Sequence, residues 1–421
     1  MMKCSGTYKR LISLLAGRMP ALLCICAVLL SSGCLRRQLW VYTDEYRQVE
    51  LVTDWSKCDR TPGGLTAWFS KNDYSGQNKR ITTAEVERTW LNLPNGWWSA
   101  VVFDYSPDEF GGQLFHAMHR PDSCFVRCRP SSKQPGASEM NNHLYGDAAI
   151  PDGMQLKKNA ATGYNILSAE PDPMCADTLH QVHIVTGVDG NLIPWEQQET
   201  YGSTLQTQRF YAYPQPITWK LRVFAHVRGI SYMFSLKSTL AGLSDGNHLS
   251  VLHHAPDPCL HLLEEWEVSG RNSSSNTGTI GCTIDNFGLP GQALDRASVE
   301  TILSGKNSKS INDQAYADEI DPAGKPLQLN LQFVLRDEAT VINYHFATTH
   351  TGEDTPYDKQ TRLYEMSLKP EYIRVFADQR VIRIDIPAGK IILPYVDAKD
   401  AAGFDAHVTP WEDGDIVDVG F

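Results

Sequence analysis

Apolar side chains recur at every second position in short runs along most of this chain, and that period allows little besides β-sheet. Val49, Leu51, Thr53 and Trp55 alternate with Glu50, Val52 and Asp54. Trp219, Leu221, Val223, Ala225 and Val227 alternate with Lys220, Arg222, Phe224 and His226. Leu327, Leu329, Leu331, Phe333 and Leu335 alternate with Gln328, Asn330, Gln332 and Val334, and Ile382, Ile384 and Ile386 share a face opposite Arg383 and Asp385. Successive side chains on a strand point to opposite faces, so such a run buries one face of a sheet and wets the other. Turn residues punctuate the runs. Pro62-Gly63-Gly64 precedes Leu65, Ala67 and Phe69, and Pro94-Asn95-Gly96 stands between Thr89, Leu91, Leu93 and the β-forming stretch from Trp97 to Tyr105, the pattern of a hairpin. Many short strands with turns between them predict an all-β chain of packed antiparallel sheets. Only Pro258 to Val268 and Asp295 to Leu303 read as short helices, and Arg129 to Gly163 reads as irregular surface chain.

The first 33 residues are set apart. Lys3, Lys9, Arg10 and Arg18 precede an apolar run from Ala21 to Leu30, with no acid among them. That run is far short of the roughly 20 residues a membrane-spanning helix needs. A basic stretch, a short apolar core and small residues read as an export signal. Ser31-Ser32-Gly33-Cys34 then resembles the lipobox at which bacterial lipoproteins are cleaved and acylated, although Ser31 stands where Leu is usual and Leu30 is one residue further out. Residues 1–33 are expected to be a lipoprotein signal peptide and Cys34 the lipidated residue. Each methylene of the acyl chains buried in a bilayer contributes about 0.8 kcal/mol to the anchoring.

The exported part, 34–421, is too long for one ordinary core and suits two domains. Tyr213-Pro214-Gln215-Pro216 favours extended chain and stops a helix, which places the boundary between 34–213 and 214–421. All 49 acidic residues of the chain belong to this part, while four of the 38 basic ones go with the signal, so it is more acidic than the overall charge of −11. The chain lacks the basic footprint of a nucleic-acid binder. It is also repelled by anionic lipid, which leaves membrane attachment to the acyl group. Six cysteines follow Cys34: Cys58, Cys124, Cys128, Cys175, Cys259 and Cys282. An even number in an exported chain permits disulfides, with 15 full pairings open.

Few residue patterns point to chemistry. His116, His119, Cys124 and Cys128 form H-x-x-H followed by C-x₃-C, and His253, His254, Cys259 and His261 form a second cluster. Zinc accepts two nitrogens and two thiolates. Pro121 interrupts the first pattern, however, and exported cysteines are commonly oxidised, so neither cluster is read as a metal site. Gly242-Leu243-Ser244-Asp245-Gly246 fits the serine-hydrolase G-x-S-x-G, but a β-like run follows in place of the helix that motif requires. Asp108 with Glu109, and Glu264 with Glu265, point to opposite faces if on strands and are not placed for shared acid–base work. No phosphate-cradling loop or H-E-x-x-H is present. No cofactor and no enzymatic activity are expected.

Longer stretches resemble a known family. Leu39-Trp40-Val41-Tyr42-Thr43-Asp44 with Val49-Glu50-Leu51-Val52-Thr53-Asp54-Trp55 resembles the first strand region of the fimbrillin-like lipoproteins of Bacteroidales, within them an uncharacterised branch. Gly64-Leu65-Thr66-Ala67-Trp68-Phe69, Leu93-Pro94-Asn95-Gly96 and Val101-Val102-Phe103-Asp104-Tyr105-Ser106 are similar to their next strands and central hairpin. Leu240 to Gly246, Leu263-Glu264-Glu265-Trp266, Phe287-Gly288-Leu289-Pro290 and the terminal Gly403-Phe404-Asp405-Ala406-His407-Val408 continue the likeness over nearly all of the exported part.

The resemblance implies two transthyretin-like antiparallel β-sandwich domains in tandem. It also implies kinship with fimbrial subunits and membrane anchors, in which a sheet accepts an extended segment from a neighbouring subunit. The expected role is that of an anchor or accessory subunit of a fimbria-like adhesive assembly, lipid-tethered at the outer membrane, with other envelope subunits as partners. Leu35-Arg36-Arg37 stands where surface-displayed lipoproteins of these bacteria often carry acids, which leaves the membrane face open. The terminal Ile416, Val417, Val419 and Phe421 belong either to a closing strand of the second domain or to a segment offered to a partner. The alternative role is a lipid-tethered glycan-binding protein, with Trp68, Trp90, Trp97 and Trp98 as its stacking platform.

Overall fold

A computed structural model describes residues 46–73, 75–120, 123–136, 142–184, 208–291, 325–354, 363–397 and 417–419. Cys34 and residues 295–303 lie outside them. In chain order the strands begin with β1 (Tyr46–Thr53), β2 (Leu65–Lys71), β3 (Asn78–Thr83), β4 (Arg88–Pro94), β5 (Gly96–Asp104), β6 (Gln113–His116), β7 (Phe125–Cys128) and β8 (Leu167–Ser168). Next come β9 (Cys175–Ile184), β10 (Gln208–Ala212), β11 (Gln215–Pro216), β12 (Trp219–Arg228), β13 (Met233–Ser244), β14 (Gly246–His248), β15 (His253–His254) and β16 (Pro258–Leu263). The last are β17 (Trp266–Asn272), β18 (Thr277–Asn286), β19 (Gln328–Leu335), β20 (Val341–Ala347), β21 (Leu363–Ser367), β22 (Ile373–Phe376), β23 (Val381–Ile392) and β24 (Val417–Val419). One turn of α-helix, α1 (Asn142–Tyr145), interrupts them. The chain is all-β, and most pairings are antiparallel; β10, β23, β21 and β8 join their sheets in parallel.

Two sheets enclose the first core. One runs β10-β1-β4 and the other β11-β9-β5-β2-β3. Val49, Leu51, Leu91 and Leu93 of the first meet Phe69, Trp98, Val102 and Ile184 of the second, all buried. Pro94-Asn95-Gly96 does not close a hairpin, contrary to the sequence pattern. β4 pairs with β1, whereas β5 pairs with β2 and β9, so the turn carries the chain from one sheet to the other. Gly96, at φ +134°, supplies a backbone geometry open to glycine and not to residues with a side chain.

A second core lies between the six-stranded sheets β22-β23-β12-β18-β17-β24 and β21-β20-β19-β13-β16-β8. Here the alternation holds: Leu221, Val223 and Ala225 of β12 and Ile382, Ile384 and Ile386 of β23 all face inward and are fully buried. The stretch read as a helix, Pro258 to Val268, is instead the two strands β16 and β17, one in each sheet. Glu265 at φ +56° turns the chain between them, which a helix could not accommodate.

The outer face of β19 is buried as well. Gln328 Nε2 donates to Ala148 O at 2.7 Å and Asn330 Nδ2 to Ala149 O at 3.1 Å, because the segment around α1 lies over it. Leu144, Tyr145, Ile150 and Tyr164 close that layer against Ala241 and Leu260. The two halves interlock further: β7 pairs with β14 and β8 with β16, and Phe103, Cys124, Val126, Ile217, Leu249 and Phe287 share a third buried cluster.

Candidate functional site

The free edges of the sheets are the first surface on which assembly chemistry can act. β3 is an edge strand whose Asn78, Lys79 and Arg80 are all exposed, a charged edge of the kind that resists pairing. The edge at β17 is covered by the chain's own C-terminal strand. Val417, Asp418 and Val419 of β24 pair antiparallel with Val268, Glu267 and Trp266. β24 is only three residues long. Of the terminal residues singled out by sequence, Val417 and Val419 therefore lie on a sheet edge; Ile416 and Phe421 lie outside the described residues. Beneath this edge Trp266 is fully buried, its Nε1 donating to Ser238 Oγ at 2.7 Å.

The tryptophans do not form one platform. Trp98 is in the first core, and Trp68 is half-buried with the Arg80 guanidinium 5.5 Å from its ring centroid. Trp90 and Trp97 are exposed, but Trp90 is on β4 of the three-stranded sheet and Trp97 on β5 of the five-stranded one. Trp97 stacks on His183 with centroids 4.2 Å apart. Ser244 is fully buried at the end of β13, its Oγ 2.8 Å from Gly246 O and 2.9 Å from Ala255 O. A hydroxyl turned to backbone carbonyls inside a sheet is not presented to a substrate.

Neither His/Cys cluster of the sequence assembles as such. His116 stacks on Phe125, and Cys124 enters the third core. His254 accepts the Trp219 Nε1 hydrogen at 3.1 Å and contacts Leu289 O through Nδ1 at 2.9 Å. One member of the first cluster and two of the second meet instead. The donor atoms of Cys128, Cys259 and His261 all lie within 4.8 Å of one another, in a fully buried setting. Cys259 Sγ is 3.2 Å from His261 Nε2, and its thiol also reaches Leu243 O at 3.3 Å. The neighbouring Cys259 and His261 hold the Cys128 thiol below its ordinary value despite burial, while burial pushes Cys259 up. Cys259 and His261 are two apart on β16 and so share a face, a signal legible in sequence; Cys128 arrives from a strand 131 positions away and carried none. Cys58, Cys128, Cys175, Cys259 and Cys282 are in the free thiol form.

A groove of about 740 Å³ lies between the halves, bordered by Arg60, Asp104, Cys175, Gln215, Lys220 and Arg380. Asp104 is buried, and its Oδ1 accepts the Cys175 N–H at 2.9 Å. Burial raises its carboxyl to about 7, against smaller lowering contributions from that hydrogen bond and Arg60. A folded value above the unfolded one means the group favours the fold below about pH 4, and that contribution is lost as pH rises through 7. Asp104→Asn keeps the acceptor and removes the charge. The variant is expected to gain roughly 2–4 kcal/mol over the parent above pH 8 and nothing below pH 4. Urea midpoints measured from pH 4 to 9 check this; parallel profiles for the two proteins contradict it.

Among the described residues no helix is long and apolar enough to cross a membrane. A family model described as Domain of unknown function (DUF5119) matches residues 33–259. No curated protein matches the sequence. Similar solved structures include an adhesin candidate from Bacteroides ovatus, at 14% identity and TM-score 0.45, covering 81% of this chain and 93% of that one. The fimbrial anchor protein Mfa2 from Porphyromonas gingivalis is similar at 11% identity and TM-score 0.34, over 68% of this chain and 77% of that one. A candidate polysaccharide-binding protein (DUF1812) from Bacteroides thetaiotaomicron is similar at 6% identity and TM-score 0.35, over 71% and 79%.

Proposed function

We propose that this chain, which belongs to the DUF5119 family, is a lipid-tethered anchor or accessory subunit of a fimbria-like adhesive assembly and holds its partners by β-strand addition. The resemblance of its strand segments to fimbrillin-like lipoproteins supports the class, with two transthyretin-like sandwiches in tandem, 34–213 and 214–421. The lipobox-like Ser31-Ser32-Gly33-Cys34 supports export and acylation at Cys34, hence residence at the outer membrane with no nucleic-acid partner. Binding and assembly, not catalysis, are the work of this reading.

The observation that carries it is the placement of β24 on the edge of β17. A three-residue strand at a sheet edge makes few main-chain bonds, and each has the same geometry whether the strand comes from its own chain or from a neighbour. Release of the tail frees both an edge that can accept a strand and an extended Val417-Asp418-Val419 segment that can be donated. Register is set by the pairing of Val417, Asp418 and Val419 with Val268, Glu267 and Trp266, since a one-residue slip would exchange the two faces of the strand.

Deletion of Thr409 to Phe421 tests the proposal. The truncated chain is expected to keep its β-rich circular dichroism and to lose co-purification with envelope subunits from native membranes. A truncated chain that is unfolded makes the tail part of the core, and one that still retains its partners removes the tail from the interface; either result overturns strand donation.

A further inference from the structure

We propose that Cys128, Cys259 and His261 bind a zinc ion where β7 meets β16. Their three donor atoms already lie within 4.8 Å of one another, and the residues are 3%, 4% and 1% exposed. Zinc holds thiolate sulfur at about 2.3 Å and imidazole nitrogen at about 2.0–2.1 Å, so ligands on its tetrahedron stand about 3.5–3.8 Å apart. Cys259 Sγ and His261 Nε2, at 3.2 Å, need only small movements to reach that spacing.

The site is built into the sheet. Cys259 and His261 project from the same face of β16. The bulge in β13 between Ala241 and Leu243 sets Cys259 opposite Leu243 and shifts the register there. Bulges of this kind re-aim a side chain. Cys128 ends β7, its N–H donating to Asp245 O at 2.7 Å, and the Asp245 carboxylate pairs with Arg127 at 3.2 Å. Backbone and neighbouring side chain thus fix where the Cys128 sulfur points.

Charge is balanced as well. On binding, each thiol gives up its proton to solvent, so one Zn²⁺ releases two protons. The two thiolates, neutral imidazole and ion then carry no net charge, which a buried site tolerates. A Cys128–Cys259 disulfide is the competing arrangement. It would use both sulfurs and deprive the buried His261 Nε2 of the thiol it now contacts, whereas a cation employs all three donors. The bound ion would cross-link the sheet of β6, β7, β14 and β15 to the six-stranded sheet containing β16.

The test uses the full exported chain, isolated from the cell envelope, with Co²⁺ as the spectroscopic substitute. Titration of the reduced, folded protein is expected to give a near-ultraviolet thiolate–Co²⁺ band that saturates at one ion per chain and is displaced by Zn²⁺. Cys128→Ser and Cys259→Ser are expected to remove the band, and His261→Gln to weaken binding roughly tenfold or more. Absence of the band in the reduced wild-type chain overturns the proposal without recourse to any variant. So does a Cys128–Cys259 disulfide-linked peptide as the dominant form in an unreduced digest, or a band that survives in the Cys128→Ser/Cys259→Ser double variant.

Discussion

Trp266→Ala is expected to destabilise the chain by about 3–5 kcal/mol, the range for deleting a fully buried aromatic side chain. Trp266 opens β17 with no exposed surface and donates its indole N–H to Ser238 Oγ, which itself donates to Leu263 O at 3.0 Å. Truncation removes the ring that fills the second core between β13 and β17, while Ser238 keeps its backbone acceptor. The loss is therefore dominated by the cavity and not by an orphaned hydroxyl. The same residue pairs with Val419. If β24 contributes little to the core, combining Trp266→Ala with deletion of Thr409 to Phe421 adds nothing beyond the sum of the two effects. Urea unfolding gives both numbers, and a loss below about 1 kcal/mol for Trp266→Ala would contradict the packing described here.

Gly242→Ala is expected to cost about 2–5 kcal/mol, from two separate sources. Gly242 adopts φ +105°, a conformation that costs a residue with a side chain about 1–3 kcal/mol. An added Cβ would also stand 2.1 Å from Pro326 O and 3.0 Å from Leu327 Cδ2. Backbone cannot withdraw as a flexible side chain can, so β13 or the chain leading into β19 has to shift, at a further 1–3 kcal/mol or so. Gly242 lies in the bulge that sets Cys259 opposite Leu243. The variant is thus expected to weaken Co²⁺ binding as well as lower the urea midpoint. A stability change within about 0.5 kcal/mol, the usual range of a harmless surface substitution, would mean the strand is not held as described.

The inward faces of the long strands were legible in the sequence because period-two alternation reports burial directly wherever one face is wet. β12 and β23 follow it residue by residue. The pattern misleads where a third layer covers the outer face. Gln328, Asn330 and Gln332 of β19 look solvent-facing but are buried, since the chain around α1 supplies some of their partners. Local signals also fail to say which sheet a strand joins. Pro94-Asn95-Gly96 has hairpin chemistry yet connects two sheets, and Leu262-Leu263-Glu264-Glu265 has helix-forming composition yet contains the turn at Glu265. The Cys/His site was half legible: Cys259 and His261 have strand spacing, but their meeting with Cys128 is a product of sheet topology.

That topology also dictates a timetable. β1 is the middle strand of its sheet, and its parallel neighbour β10 begins only at Gln208, with Glu50 bridged to Arg209 across that separation. A chain synthesised from its N-terminus presents β1 long before β10, so the middle strand waits half-dressed while the intervening residues follow. Contacts so remote in sequence slow folding. Closure of the first core therefore waits until the chain through Ala212, about half of its length, is available.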